Sequence, residues 1–166
     1  MAVDMHPGAT VTNKLDPYDY RRGNFPRSPV EAVLVAVLRP TRLDRALQLI
    51  PEKSRCIRAG DIHELILTDE TTAQPGIRVN RVAYLGFAEF IKGGLIVQDD
   101  ILEVDGQSIG RVVGYDETHM PNHINIVVVG ENFASGYDRG LALGARLTFS
   151  TALVDHRTVP HVQKAI

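Results

Sequence analysis

Residues 30–38 read VEAVLVAVL, a β-branched run closed by Pro29 and Pro40 that predicts a strand buried on both faces. The next segment, TRLDRALQLIPEK, changes period. Leu43, Ala46, Leu47 and Ile50 stand at i, i+3, i+4 and i+7, which predicts one short amphipathic helix capped by Thr41 and ended by Pro51. From His63 onward the pattern is β throughout. HELILTDE, IRVNRVAYLGFAEFI, GLIV, DILEV, SIGRVVGYD, INIVVVG and GARLTFSTAL are parted by Gln74-Pro75-Gly76, Gly93-Gly94, Asp105-Gly106 and Pro121-Asn122. Asp105-Gly106 is the clearest turn, because a two-residue type I′ hairpin needs positive φ at both central positions. Many short strands and a single helix predict a mainly β fold, a small antiparallel β-barrel with one short helix.

The period fails at both ends of the chain. Residues 1–29 carry Pro7, Pro17, Pro26 and Pro29 among Tyr18, Tyr20 and Phe25, and read as an extended N-terminal arm. Its aromatics have no element of their own to pack in, which points to a partner surface and a homo-oligomer. Residues 30–154 form the β domain and 155–166 a C-terminal tail. The chain's 166 residues fit one domain. With 18 basic and 20 acidic residues, the net charge of -2 gives no bulk attraction to nucleic acid or to anionic lipid. Cys56 stands alone, so no intramolecular disulfide is available, and no run reaches the length of a membrane span. The first residues lack a signal peptide's apolar core, and the expected location is the cytoplasm.

Four segments between residues 91 and 149 carry a likeness: IKGGL, DDILEVDGQSIGRVVGYDE, PNHINIVVVG and LGARLTF. They resemble the glucitol/sorbitol-specific IIA component of the bacterial sugar phosphotransferase system, a small β-barrel family. The resemblance implies a Lys-Gly step into a strand, a glycine hairpin, a Gly-His step opening the next strand and a closing Gly-x-x-Leu-x-Phe. Asn122-His123 stands in place of the Gly-His step. The family's phosphorylated histidine precedes the Lys-Gly step, but here that place reads Tyr84-Leu85-Gly86-Phe87-Ala88, without a nucleophilic nitrogen. The likeness therefore implies a barrel in a bacterial family of unknown function and no phosphocarrier role, since shared folds do not transfer activities.

Candidate chemistry centres on Glu89 and His123. Strand alternation sets Glu89 in the row Leu85, Phe87, Glu89, Ile91, and burial of a carboxyl favours the protonated form that a general acid uses. The structural alternatives are a buried ion pair with Arg81 or Lys92 and an edge position where the carboxylate reaches water. His123 opens the strand INIVVV at the mouth of the expected barrel. His119 precedes it by four, a spacing that converges on a helix, but Pro121 argues against a helix here. A metal would need a third ligand such as Glu117, and no metal or other cofactor is expected. His63 is a lesser acid/base candidate at a strand start, beside Glu64. Tyr84 and Arg78 on one strand face, with His119, Tyr137 and Arg139, are the expected substrate contacts, the last two on a rim or lid around Gly136. Asp69-Glu70, Asp99-Asp100 and Asp116-Glu117 read as solvated turn residues, and Cys56 as a packed one.

Two functions fit these residues. One is a small cofactor-independent enzyme of isomerase, lyase, cyclase or hydratase type, acting on a small polar metabolite with Glu89 and His123 as acid and base. The other is a non-catalytic binding or regulatory barrel working as an oligomer. A concave pocket shared by Glu89 and His123 separates the two, and Glu89 on an outer surface favours binding.

Overall fold

The computed structural model describes residues 25–152. Most of the expected arm, with Tyr18 and Tyr20, and the whole of the expected tail lie outside the described residues. Twelve strands are present and no helix among the described residues: β1 (Val30–Val37), β2 (Thr41–Arg42), β3 (Leu47–Gln48), β4 (Ser54–Ile57), β5 (Ile62–Thr68), β6 (Arg78–Val79), β7 (Val82–Lys92), β8 (Gly94–Val97), β9 (Ile101–Val104), β10 (Gln107–Asp116), β11 (Asn125–Val129) and β12 (Arg146–Ser150).

Seven of them close a ring in the order β1, β12, β9, β10, β11, β5, β7, with β7 pairing back onto β1. Six of the seven seams are antiparallel. The seventh, β5 on β11, is parallel and corrects the wholly antiparallel expectation; it sets Glu64 opposite Asn125. The Asp105-Gly106 hairpin has φ of 49° and 80°, as a type I′ turn requires, and joins β9 to β10 with Val104 opposite Gln107.

The expected helix is absent because its segment follows period two. Leu47 and Leu49 are buried on alternate positions while Leu43, the first residue of the helical stripe, is 63% exposed. Ala46 has φ of 53°, outside the helical region, and Leu47 enters β3 against Val79.

Alternation then divides the apolar residues into two cores. Inside the ring pack Leu34, Leu65, Leu67, Leu85, Phe90, Leu102, Ile126, Val128, Leu147 and Phe149. Outside it, Ile66, Val82, Val113, Val127 and Val129 are covered by Leu47, Leu49 and Val79 from β3 and β6. β11 is therefore buried on both faces. β1, expected to be so, buries Val30, Ala32 and Leu34 but exposes Glu31 and Val35, so it faces the core on one side only.

Three acidic turns are structural rather than solvated. Asp100 is 1% exposed, accepts the Val97 N–H at 2.9 Å and is held by both Arg27 guanidinium NH2 groups. Asp69 takes Arg81 in two bonds of 2.8 Å, and Glu70 accepts the backbone N–H groups of Asn80 and Arg81. Asp116 is buried, and Glu117 pairs with Arg55 at 2.6 Å. Cys56, expected to be packed, is exposed.

Candidate functional site

His63 and Glu64, next after Ile62 at the start of β5, point to opposite faces. Its odd positions follow Leu65 and Leu67 into the ring, and its even positions follow Ile66 outward. His63 accordingly meets Phe90, with ring centroids 5.7 Å apart, and its Nδ1 accepts the Ile124 N–H at 3.3 Å. Burial lowers its pKa, against the opposing pull of Asp61. Glu64 faces outward at the open end of the second core, opposite Phe87 on β7 and Asn125 on β11.

The link between β10 and β11 brings two histidines to Glu64. Asp116 shapes it by accepting from the Thr118 N–H, the Thr118 hydroxyl and the Asn125 side-chain amide. The turn then folds on itself, with the Asn122 and His123 N–H groups both directed at the His119 carbonyl. His119 and His123 stack with centroids 5.0 Å apart, and Phe87 meets His123 edge-on at 5.0 Å. Glu64, His119 and His123 each present one ligand-type atom, all within 4.8 Å of one another. No helix is needed for this convergence, which the Pro121 argument had set aside. The third member is Glu64, not the expected Glu117.

His123 is 9% exposed, and its Nε2 is buried without a hydrogen-bond partner. Glu64 Oε2 lies 3.6 Å from it, beyond hydrogen-bond reach. Asn125 Oδ1, on the residue paired with Glu64, is likewise buried and unsatisfied. Burial raises the Glu64 pKa, with His119 and Arg45 pulling the other way, and burial lowers that of His123. Each group is thus pushed toward its neutral form. Buried polar atoms left without partners are costly and rare; one of these belongs to the cluster and the other to the residue paired with Glu64.

The other expected residues are not members of this cluster. Glu89 pairs with Ile62, which is 46% exposed, and its row ends at Ile91, 58% exposed. Leu85 packs inside the ring, but the register shift beside it turns Phe87, Glu89 and Ile91 to the outer face, so the expected apolar enclosure of Glu89 is corrected to a half-buried position. Its expected ion partner Arg81 is taken by Asp69. Tyr84 accepts the Arg45 Nε–H at 3.0 Å, the nearest of the expected contacts in kind, since Arg45 also acts on Glu64. Arg78 is exposed on β6. Tyr137 is 56% exposed with the Arg39 guanidinium 3.9 Å above its ring, and Arg139 donates to the carbonyls of Glu131, Asn132 and Ala134, tying its own loop together. That loop is packed onto β7 rather than poised as a lid: a Cβ at Gly136 would sit 1.9 Å from the Leu85 carbonyl oxygen.

A cleft of about 510 Å³ opens at the far end of β11, between Ile101, Ser108, Arg111, Gly130, Glu131 and Arg139. Neither Glu89 nor His123 lines it. A family model described as "Family of unknown function (DUF6917)" matches residues 24–150. No curated protein and no solved structure matches the chain, and the likeness to the phosphotransferase IIA component has no support from them.

Proposed function

We propose, for a chain that belongs to the DUF6917 family of unknown function, that it binds a small polar ligand at the cluster of Glu64, His119 and His123. The observation that carries this reading is the buried His123 Nε2, which has no hydrogen-bond partner and stands 3.6 Å from the Glu64 carboxylate. A ligand that supplies the missing partner recovers the desolvation cost of that atom, about 1–3 kcal/mol. Exposed His119 forms the entrance. The ring is read as a small β-barrel acting as scaffold, and the protein as a cytoplasmic homo-oligomer without nucleic-acid or membrane partners.

Binding leads over catalysis because neither Glu89 nor His123 lines the cleft at the far end of β11 and Glu89 faces outward. The enzymatic reading, acid/base chemistry of isomerase, lyase, cyclase or hydratase type on a polar metabolite, keeps one observation in its favour. Glu64 takes the place beside His123 that Glu89 was expected to hold.

Thermal melts of the full chain against a library of polar metabolites test the proposal. A ligand at ~100 times its dissociation constant adds ~2.7 kcal/mol of stability. The expected result is a rise in melting temperature that Glu64→Gln and His119→Asn abolish. A rise that survives both substitutions places the ligand elsewhere and overturns the reading.

A further inference from the structure

We propose that Glu64, His119 and His123 hold a divalent transition-metal ion of the zinc class, and that this ion is what first occupies the cluster. The inference rests on the reading of the cluster as the binding site, and it departs from the expectation of no metal. Two imidazoles and one carboxylate form an N/O ligand set suited to zinc. Zinc bonds of about 2.0–2.2 Å put neighbouring ligand atoms of a tetrahedron about 3.3–3.6 Å apart. The His123 Nε2 to Glu64 Oε2 distance is 3.6 Å, already close to that edge. The whole set lies within 4.8 Å, and the exposed member, His119, is the one free to close the remainder.

The unpartnered Nε2 is the second, independent sign. A buried histidine normally spends both ring nitrogens on hydrogen bonds, whereas His123 aims a lone nitrogen at a carboxylate that cannot donate when ionised. A cation satisfies both at once. The backbone that carries the set is held in place: Asp116 ties Thr118 and Asn125 into the link that bears the histidines, and Phe87 meets the His123 ring edge-on. Glu117, which a sequence reading would take as the third ligand, is committed to Arg55.

Three protein ligands with an exposed side leave coordination positions open, the arrangement of sites that take a further ligand rather than of closed structural zinc sites. A polar molecule bearing a carboxylate or hydroxyl oxygen would complete the shell. This joins the metal to the small polar ligand proposed above.

The test uses the full chain stripped with a chelator and titrated with Zn²⁺ by calorimetry, with Co²⁺ absorption as a spectroscopic reporter. One Zn²⁺ per chain is expected, with Co²⁺ bands free of thiolate charge transfer. His119→Asn alters an exposed residue and leaves the fold intact, and it is expected to weaken binding by more than the ~10-fold that even an outer-shell change costs. Glu64→Gln is expected to do the same, and Cys56→Ser to change nothing. Unaltered Zn²⁺ affinity in His119→Asn and Glu64→Gln, or no Zn²⁺ uptake by the wild type, overturns the inference. A metabolite that stabilises the stripped chain through Glu64 when Zn²⁺ does not bind overturns the metal and leaves the binding reading standing. Failure of Zn²⁺ and of every metabolite removes both.

Discussion

Glu64 and His123 face each other at 3.6 Å across the one parallel seam of the ring, and the imidazole nitrogen between them has no protein partner. Burial pushes each group toward its neutral form, which weakens the charge–charge attraction available to offset its desolvation. Glu64→Met is therefore expected to stabilise the unliganded chain by about 1 kcal/mol, the low end of what replacing buried ionic groups by apolar ones yields, while abolishing binding. In a chain of this size that raises the melting temperature by roughly 2–4 °C. A lower melting temperature in Glu64→Met would make Glu64 a structural residue.

The Asp105-Gly106 turn offers a test free of packing effects. Gly106 has φ of 80°, and a Cβ there meets nothing within 4 Å, so only backbone strain resists substitution. Gly106→Val is expected to cost about 1 kcal/mol or more, and Gly106→Asn distinctly less, because Asn tolerates the left-handed region. Equal melting temperatures for the two variants would refute the strain argument.

That turn was legible because its chemistry is local. So were the β1, β5, β7, β10 and β11 runs. The segment around Leu47 was not, since Leu43, Ala46, Leu47 and Ile50 fit a period of 3.6 while Leu47 and Leu49 fit a period of two. Burial against Val79 decides for the strand, and that contact is tertiary. The continuous INIVVV run did carry the signal of a strand buried on both faces, which the same reasoning had assigned to β1. For the candidate site, His123 was singled out by its place at a strand entrance and His119 as a substrate contact, while their spacing was set aside because of Pro121. Glu64 was passed over because its approach depends on β5 pairing with a strand some sixty residues away, with Asn125 opposite Glu64.

The Arg27–Asp100 pair ties the start of the described chain to the β8–β9 turn. Asp100 is 1% exposed, so removing its cation leaves a buried charge with only the Val97 N–H in support. Arg27→Met is expected to cost about 3–5 kcal/mol, and the double variant with Asp100→Asn to recover most of it. Additive losses in that cycle, read by denaturant unfolding, would show the two residues to be uncoupled.

Asp69 gives a pH dependence whose sign is fixed. Its hydrogen bonds from Arg81 hold its carboxyl below the usual range in the folded state. A depressed folded pKa contributes stability above the unfolded value of about 3.9 and loses it as pH falls through the folded one. The stability gap between wild type and Asp69→Asn is therefore expected to be full near neutrality and to close progressively below pH ~4. A gap that stays constant through that range would mean that Asp69 acts through packing rather than charge.

Glu89 separates the two functional readings most directly. The row that was to enclose it ends in exposed Ile91, its cross-strand partner Ile62 is exposed as well, and Arg81 is spoken for. A half-buried carboxylate on an outer face is close to an ordinary surface residue, and surface substitutions away from special features stay within about 0.5 kcal/mol. Glu89→Gln is thus expected to leave both the melting temperature and the metabolite-induced shift unchanged, while His123→Asn and Glu64→Gln remove that shift. If Glu89→Gln instead abolished a turnover that the wild type performs, with its fold intact, Glu89 would be the general acid of the enzymatic reading. The loss would have to reach the ~100 to 10,000-fold typical of such groups, since a smaller change is within what an altered surface charge does to binding.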